Sequence, residues 1–243
     1  MYKYTVAQNS GSVHSSHEYS VGRVCYKIAT TPALIRQYYA LLEKIYQERF
    51  SKAFQVTAKE HWFNNQYGKI IVALDEGHTV IGGARVIISS PAHRCLLPLE
   101  SDLLKLDHRF PHMNLNQCVY SEWGRLIVSS ETEEKSIVSE NISKICLRIS
   151  LSYDCHFQFG LTISKLKQRI EDILKNMNLE YREILSSNEM PEYPIIARFL
   201  PYLGVTDLRN MHQNKYKFLN FQDVLGYDSN YFTFHRTSEF FTL

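Results

Sequence analysis

Apolar positions in the first half of the chain switch between two periods. Val24, Tyr26 and Ile28 alternate with Cys25 and Lys27, the period of two that marks a half-buried strand over residues 23–29. Thr30 or Thr31 then caps a helix with Pro32 at its first position. Leu34, Ile35, Tyr38, Leu41, Leu42 and Ile45 recur at spacings of three and four, which carries the helix to about residue 50. Residues 53–68 are less regular and hold Trp62 and Phe63. Two strands, 69–75 and 79–89, are joined by Glu76, Gly77 and His78, a short glycine-containing link that reads as a hairpin. Pro91 ends the second strand, and residues 96–106 include a short helix with Pro98 near its start. Further strands are predicted at about 117–128, 155–162 and 180–185. Between them lie amphipathic helices at 136–151 (Ile137, Val138, Ile142, Ile145, Cys146) and 164–176 (Leu166, Ile170, Leu174).

This order predicts an α/β (α+β) protein with a mixed, twisted sheet flanked by helices. The hairpin must be antiparallel, whereas strand–helix–strand units favour parallel pairing. Residues 1–22 are polar and read as an arm or an added strand, and residues 23–186 form the main domain. Residues 187–243 turn to Pro, Tyr and Asn, with Pro191, Pro194 and Pro201 as punctuation. They are too aromatic for a disordered tail and are expected to pack on the same domain as strands and loops.

Composition narrows the function classes. With 243 residues and an apolar fraction of 44%, the chain can bury the core of one large domain. A net charge of +2 gives no field for drawing in nucleic acid. Five cysteines, odd in number and never spaced Cys-x-x-Cys, argue against a disulfide framework or a zinc site and fit a reducing cytoplasm. No basic region followed by an apolar run opens the chain, and no apolar run approaches the ~20 residues of a membrane span, so neither a secretory leader nor a span is expected. His14 and His17 have a metal-compatible spacing without an acid cluster beside them, and no metal is expected.

The chemistry concentrates in Tyr120-Ser121-Glu122-Trp123-Gly124-Arg125-Leu126-Ile127-Val128. This strand carries an acid, a base and a glycine at its centre, where unpaired charge is costly. It reads either as a strand opened around a ligand or as one carrying a structural ion pair. Strict alternation points Glu122 and Arg125 to opposite faces, whereas a bulge at Trp123–Gly124 brings them to one side. Such a bulge also leaves backbone N–H groups without strand partners, as donors to a carbonyl or an oxyanion. A carboxylate that takes a proton from an amine, beside such donors, is minimal equipment for acyl transfer to an amine. Gly82-Gly83-Ala84-Arg85 is a second small-residue strand centre, with room for a ligand on the sheet or for tight packing by a neighbouring helix. It lacks the spacing of a phosphate-binding glycine loop.

The strand–helix opening, the Gly-Gly-Ala-Arg strand and Glu-Trp-Gly-Arg-Leu-Ile-Val together resemble the GNAT-type N-acyltransferases. Within these, the pattern is similar to the acyl-homoserine lactone synthases and the N-acyl amino acid synthases, over roughly residues 23–186. The resemblance implies a V-shaped opening between central strands and an acyl donor carried as a thioester on acyl carrier protein or coenzyme A. It implies that Glu122 assists deprotonation of a small amine acceptor and that Arg85 and Arg125 organise the site. Trp123, Gly124, Leu126, Phe157 and Phe159 are then candidates for holding the acyl thioester, and Lys165, Lys167 and Arg169 for docking an acidic carrier. The acidic pair that helps hold S-adenosylmethionine in the lactone synthases is reduced to Glu60 in the stretch 59–65, which leaves the acceptor open. The diphosphate loop of coenzyme A-dependent relatives is replaced by Ser129-Ser130-Glu131-Thr132-Glu133-Glu134-Lys135, an acidic run that repels a diphosphate or simply opens a helix.

Phe157, Phe159 and Leu161 alternate along one strand and serve equally as an acyl tunnel or as core. Asp154, Cys155 and His156 are adjacent, but neighbours on a strand point to opposite faces, so they form no Cys–His dyad. Two rivals to the carrier-dependent acyltransferase stand: a non-catalytic module that binds an acyl ligand or a partner in the same cleft, and an acetyltransferase using coenzyme A through an atypical loop.

Overall fold

The computed structural model describes residues 18–21, 23–50, 68–101, 105–186 and 201–214. His14, His17 and the stretch 59–65 fall outside them. Eight strands form one sheet in the order β1-β2-β3-β4-β5-β6-β8-β7: β1 Glu18–Val21, β2 Val24–Ile28, β3 Gly68–Leu74, β4 Val80–Ser89, β5 Tyr120–Val128, β6 Phe157–Ile163, β7 Tyr181–Leu185 and β8 Pro201–Asp207. The helices are α1 Pro32–Phe50, α2 Pro98–Ser101, α3 Leu106–Arg109, α4 Lys135–Ser152 and α5 Ser164–Lys175. All neighbouring strands pair antiparallel except β5 and β6. Those two are joined through α4, a helical crossover that suits parallel strands. Strand β8 inserts between β6 and β7, and β1 adds to β2 at the far edge.

Three apolar clusters hold the layers. On the back face, Val138, Ile142, Cys146 and Ile149 of α4 and Ile170 and Leu174 of α5 pack on Ile71, Ala73, Ala84, Val86, Trp123 and Val128. On the front, Tyr38, Tyr39, Leu42 and Ile45 of α1 cover Ile70, Val72, Leu74 and Ile127. Also on the front, Cys95, Leu97, Leu99, Leu106, Phe110, Met113 and Leu115 cover Ile87, Tyr120, Phe157, Phe159, Leu203 and Val205. The two front clusters flank the centre of β4 and β5, where Arg85 and Glu122 lie.

Local chemistry fixes these elements. The Asp75 carboxylate accepts the Thr79 N–H at 2.8 Å and ties the β3–β4 turn. Both α4 and α5 stop without glycine: Asp154 and Asn178 take φ of 56° just past the helix ends. Cys155 N–H then bonds Ser150 O, and Leu179 N–H bonds Leu174 O, which satisfies the last helical carbonyls.

The glycine pair of β4 is filled by helices rather than open to a ligand. A Cβ on Gly83 would stand 2.7 Å from the Tyr38 ring and 2.6 Å from Ile71 O, and one on Gly82 would stand 3.3 Å from Ile142 and Val138 of α4. Close packing is therefore the reason for both glycines.

Candidate active site at a split in the sheet

Strands β5 and β6 pair only from Tyr120 with Phe157 to Trp123 with Gly160. Beyond that point β6 continues alongside β8 as far as Ile163 with Pro201, while β5 continues against β4. The sheet thus splits into a V at Gly124, in the middle of the charged motif.

The register of β4 with β5 decides which side chains share a face. Ile87 pairs with Glu122 and Arg85 with Gly124, but Gly83 pairs with Ile127, so Arg125 and Leu126 together oppose Ala84. This is a β-bulge, one step beyond the expected Trp123–Gly124 position. Arg125 has φ of 56°, and its carbonyl accepts a 3.0 Å hydrogen bond from the Tyr38 hydroxyl. A non-glycine residue in this region costs on the order of 1–3 kcal/mol and persists only where its surroundings over-determine it. The Tyr38 bond provides that here, and its anchor in turn requires Gly83.

The bulge gathers Arg85, Glu122, Gly124 and Arg125 on the front face. Arg85 is 3% exposed and lies beside Tyr38 and Tyr39 of α1. Burial lowers the proton affinity of its guanidinium, as does the neighbouring charge of Arg125, while Glu122 opposes both. The Arg125 guanidinium sits 5.7 Å over the Tyr46 ring of α1. Glu122 is half-buried, and its Oε2 accepts the Leu99 N–H at 3.0 Å. Burial pushes its carboxyl up to about 7; the Leu99 N–H, Arg85 and Arg125 pull the other way, and Glu100 adds to the rise. Among the described residues a Cβ on Gly124 would meet only Glu122 Oε1, at 3.8 Å, so these residues leave space above Gly124 beside the carboxylate. A carboxyl near 7 is matched to accepting and returning a proton at neutral pH.

The other expected site residues divide. Phe157 and Phe159 face the front, fully inside the apolar cluster next to Glu122. Trp123 and Leu126 do not join the site: Trp123 alternates with Glu122 and the bulge turns Leu126, so both lie on the back face, where Trp123 closes over Gly160 and packs with α4 and α5. On α5, Lys167 is paired with Glu183 at 2.5 Å and with Glu171 at 3.9 Å. Arg169 donates to Ser136 O at 2.7 Å, while the side chain of Lys165 lies outside the described residues. Tyr38, Tyr46 and the Leu99 amide were missed. The signal for Tyr38 was its place on the apolar face of a helix that had to cover a Gly-Gly strand.

No family model matches the chain, and no curated protein matches it. Solved structures do. FeeM, an N-acyl amino acid synthase from uncultured soil microbes, superposes with a TM-score of 0.58 at 10% identity, over 79% of this chain and 94% of that one. The acyl-homoserine lactone synthase LasI superposes with a TM-score of 0.51 at 13% identity, over 76% of this chain and 90% of that one. The coenzyme A-dependent acyl-homoserine lactone synthase BjaI, solved with SAM and isopentyl-CoA, superposes with a TM-score of 0.51 at 14% identity, over 80% of this chain and 82% of that one. The chain has the GNAT fold. On this GNAT sheet the V lies between β5 and β6, and the Glu122 cluster sits at its apex. Among the described residues no helix is long and apolar enough to cross a membrane, and no group of three His, Cys, Asp or Glu could hold a metal ion.

Proposed function

We propose that this chain is an N-acyltransferase that moves an acyl group from a thioester donor to a small amine by direct attack, in the cytoplasm. The observation that carries the reading is Glu122: a half-buried carboxyl pushed up to about 7, between two arginines, bordering space that the described residues leave over Gly124 at the apex of the split. The acceptor nitrogen attacks the thioester carbonyl carbon, and a C–N bond forms as the carbonyl becomes an oxyanion. Glu122 takes the proton released by nitrogen. The C–S bond then breaks, and the leaving thiolate recovers that proton. Arg85 and Arg125 face the developing negative charge, and backbone N–H groups at the split contribute hydrogen bonds to it.

Carrier protein is the favoured donor. The residues ahead of α4 carry Glu131, Glu133 and Glu134, Lys44 answers only Glu131, at 3.0 Å, and no side chain caps the helix start. That surface is poor for a diphosphate. Lys167 and Arg169 on α5 are the proposed carrier contacts. The apolar cluster around Phe157 and Phe159 is the proposed neighbour of the acyl chain.

A thiol-release assay against acyl-carrier and acyl-coenzyme A thioesters with a panel of amines tests the reading. Wild type is expected to release thiol only with an amine present, and Glu122→Gln to lose this while remaining folded. Unchanged turnover in Glu122→Gln removes the mechanism. Acyl-ligand binding without thiol release under any pairing makes the protein a binding module instead.

A further inference from the structure

A second carboxylate lies beside the first, on the turn that covers it. Leu99 donates its N–H to Glu122 Oε2 at 3.0 Å from the four-residue helix α2. The next residue, Glu100, folds its side chain back under the same turn. Its Oε2 accepts the Leu97 N–H at 2.8 Å, and its own N–H donates to Leu97 O at 2.9 Å. The Tyr120 hydroxyl donates to Glu100 at 3.1 Å and 3.2 Å. Tyr120 and Glu122 are two apart on β5, so both point to the front face. Two neighbouring side chains of one strand therefore grip successive parts of one turn, Tyr120 through Glu100 and Glu122 through Leu99.

The Glu100 side chain is 1% exposed, and Arg94 Nη2 stands 3.7 Å from it while also pairing with Asp107 at 3.1 Å. A turn this short has no helical stability of its own, and its geometry is set by these bonds. Burying a carboxylate for a purely structural grip is expensive when a neutral side chain would serve. We propose that Glu100, held by Tyr120, is a positioning residue for Glu122: it locks the turn that presents the Leu99 amide and lays a second carboxylate beside the reacting one. The inference rests on the acyl-transfer reading for its use, but not for its test.

Among the described residues, the charged and titratable groups around the pair are the following. Glu122 faces Arg85 from β4, Arg125 from its own strand, and Cys95 and Glu100 from the connecting segment. From α1, Tyr38 and Tyr39 face Arg85, and Tyr46 faces Arg125. Glu100 faces Arg94, Asp107, Tyr120 and Cys95. Removing the Glu100 charge and loosening its grip act on Glu122 with opposite signs, because a like charge disfavours ionisation and a donated N–H favours it.

The experiment is a carboxyl-carbon NMR titration of the full chain labelled at glutamate, with the Glu122 signal assigned by its loss in Glu122→Gln. Glu100→Gln keeps an acceptor for Leu97 N–H and removes the charge. Its Glu122 midpoint is expected to fall by roughly 0.5–1 unit, the scale on which surroundings move side-chain pKa values. Tyr120→Phe keeps the charge and loosens the turn, so its midpoint is expected to rise. The acid limb of the thiol-release profile should follow each. Midpoints equal to wild type, or shifted in the same direction, overturn the proposal. Opposed midpoints in a protein that releases no thiol leave the positioning intact and sink only the acyl-transfer reading.

Discussion

Replacing Glu122 with glutamine removes a charge that folding disfavours. The carboxyl titrates near 7 in the folded protein against an ordinary 4.5, chiefly because it is buried. At 1.36 kcal/mol per unit this is on the order of 3 kcal/mol. The sign follows from which state binds the proton more tightly, here the folded one. Below pH 4.5 both states are protonated and the carboxyl is neutral in the balance. As pH rises from there, the unfolded chain ionises first and unfolding becomes easier. Above about 7 both states are ionised and the full cost is present. Glutamine mimics the protonated form and still accepts the Leu99 N–H. Relative to wild type, Glu122→Gln should therefore gain about 3 kcal/mol between pH ~5 and pH ~8 while losing activity. Urea unfolding of both proteins across that range, followed by tryptophan fluorescence, measures the gap directly. Titrating groups remote from Glu122 are common to the two chains and cancel, and the gap reports Glu122 together with the groups coupled to it. A gap that stays flat within about 0.5 kcal/mol would refute the reasoning, because Glu122 would then ionise equally well folded and unfolded.

Three further outcomes follow from the packing. Gly83→Ala places a Cβ 2.6 Å from a backbone oxygen and 2.7 Å from the buried Tyr38 ring; we expect a loss of about 1–3 kcal/mol in urea unfolding, with turnover falling as Tyr38 moves. Tyr38→Phe removes the 3.0 Å bond to Arg125 O; stability should fall by about 1 kcal/mol, and thiol release should drop further than that loss explains, since the bulge loses its anchor. Lys167→Ala breaks partly exposed ion pairs with Glu183 and Glu171, so stability should change by less than about 1 kcal/mol. If α5 docks a carrier, that variant raises KM for the acyl-carrier donor and not for acyl-coenzyme A.

Periodicity was enough to read α1, the β3–β4 hairpin, β5, α4 and α5, because each buries one face and its apolar residues recur with that face. The GNAT sheet was legible for the same reason, together with the Gly-Gly-Ala-Arg and Glu-Trp-Gly-Arg motifs. Strand β8 was not: its place between β6 and β7 is a long-range pairing that no local pattern encodes. The bulge was anticipated from Gly124, yet it formed at Arg125, because a tyrosine 87 residues earlier in the chain holds that carbonyl. Leu126 was misplaced by the same slip, whereas Trp123 lies before the bulge and alternation with Glu122 already sets it on the back face. Counting parity along β5 alone does not reveal which side each residue takes past the bulge; the partner register does. Glu100 went unnoticed because an acid within an apolar stretch looks like a surface position until its partners, Tyr120 and Leu97, are brought to it.

The positions of Gly124 and Arg125 bear on why the site exists. A bulge residue with positive φ is least strained as glycine. This strand has a glycine one position away and does not use it there: Arg125 carries the φ of 56°, and Gly124 stays out of the left-handed region. Exchanging the two residues would relieve the backbone and keep the bulge. It would also fill the space beside Glu122 Oε1 with a long side chain and remove the guanidinium from Tyr46. Glycine at 124 therefore serves volume rather than conformation, and arginine at 125 serves charge against the backbone's preference. Stability alone favours the opposite order. On the acyl-transfer reading, a need to keep space between a carboxylate and two guanidinium groups favours the order observed, and the strain at Arg125 is then the cost of placing charge there.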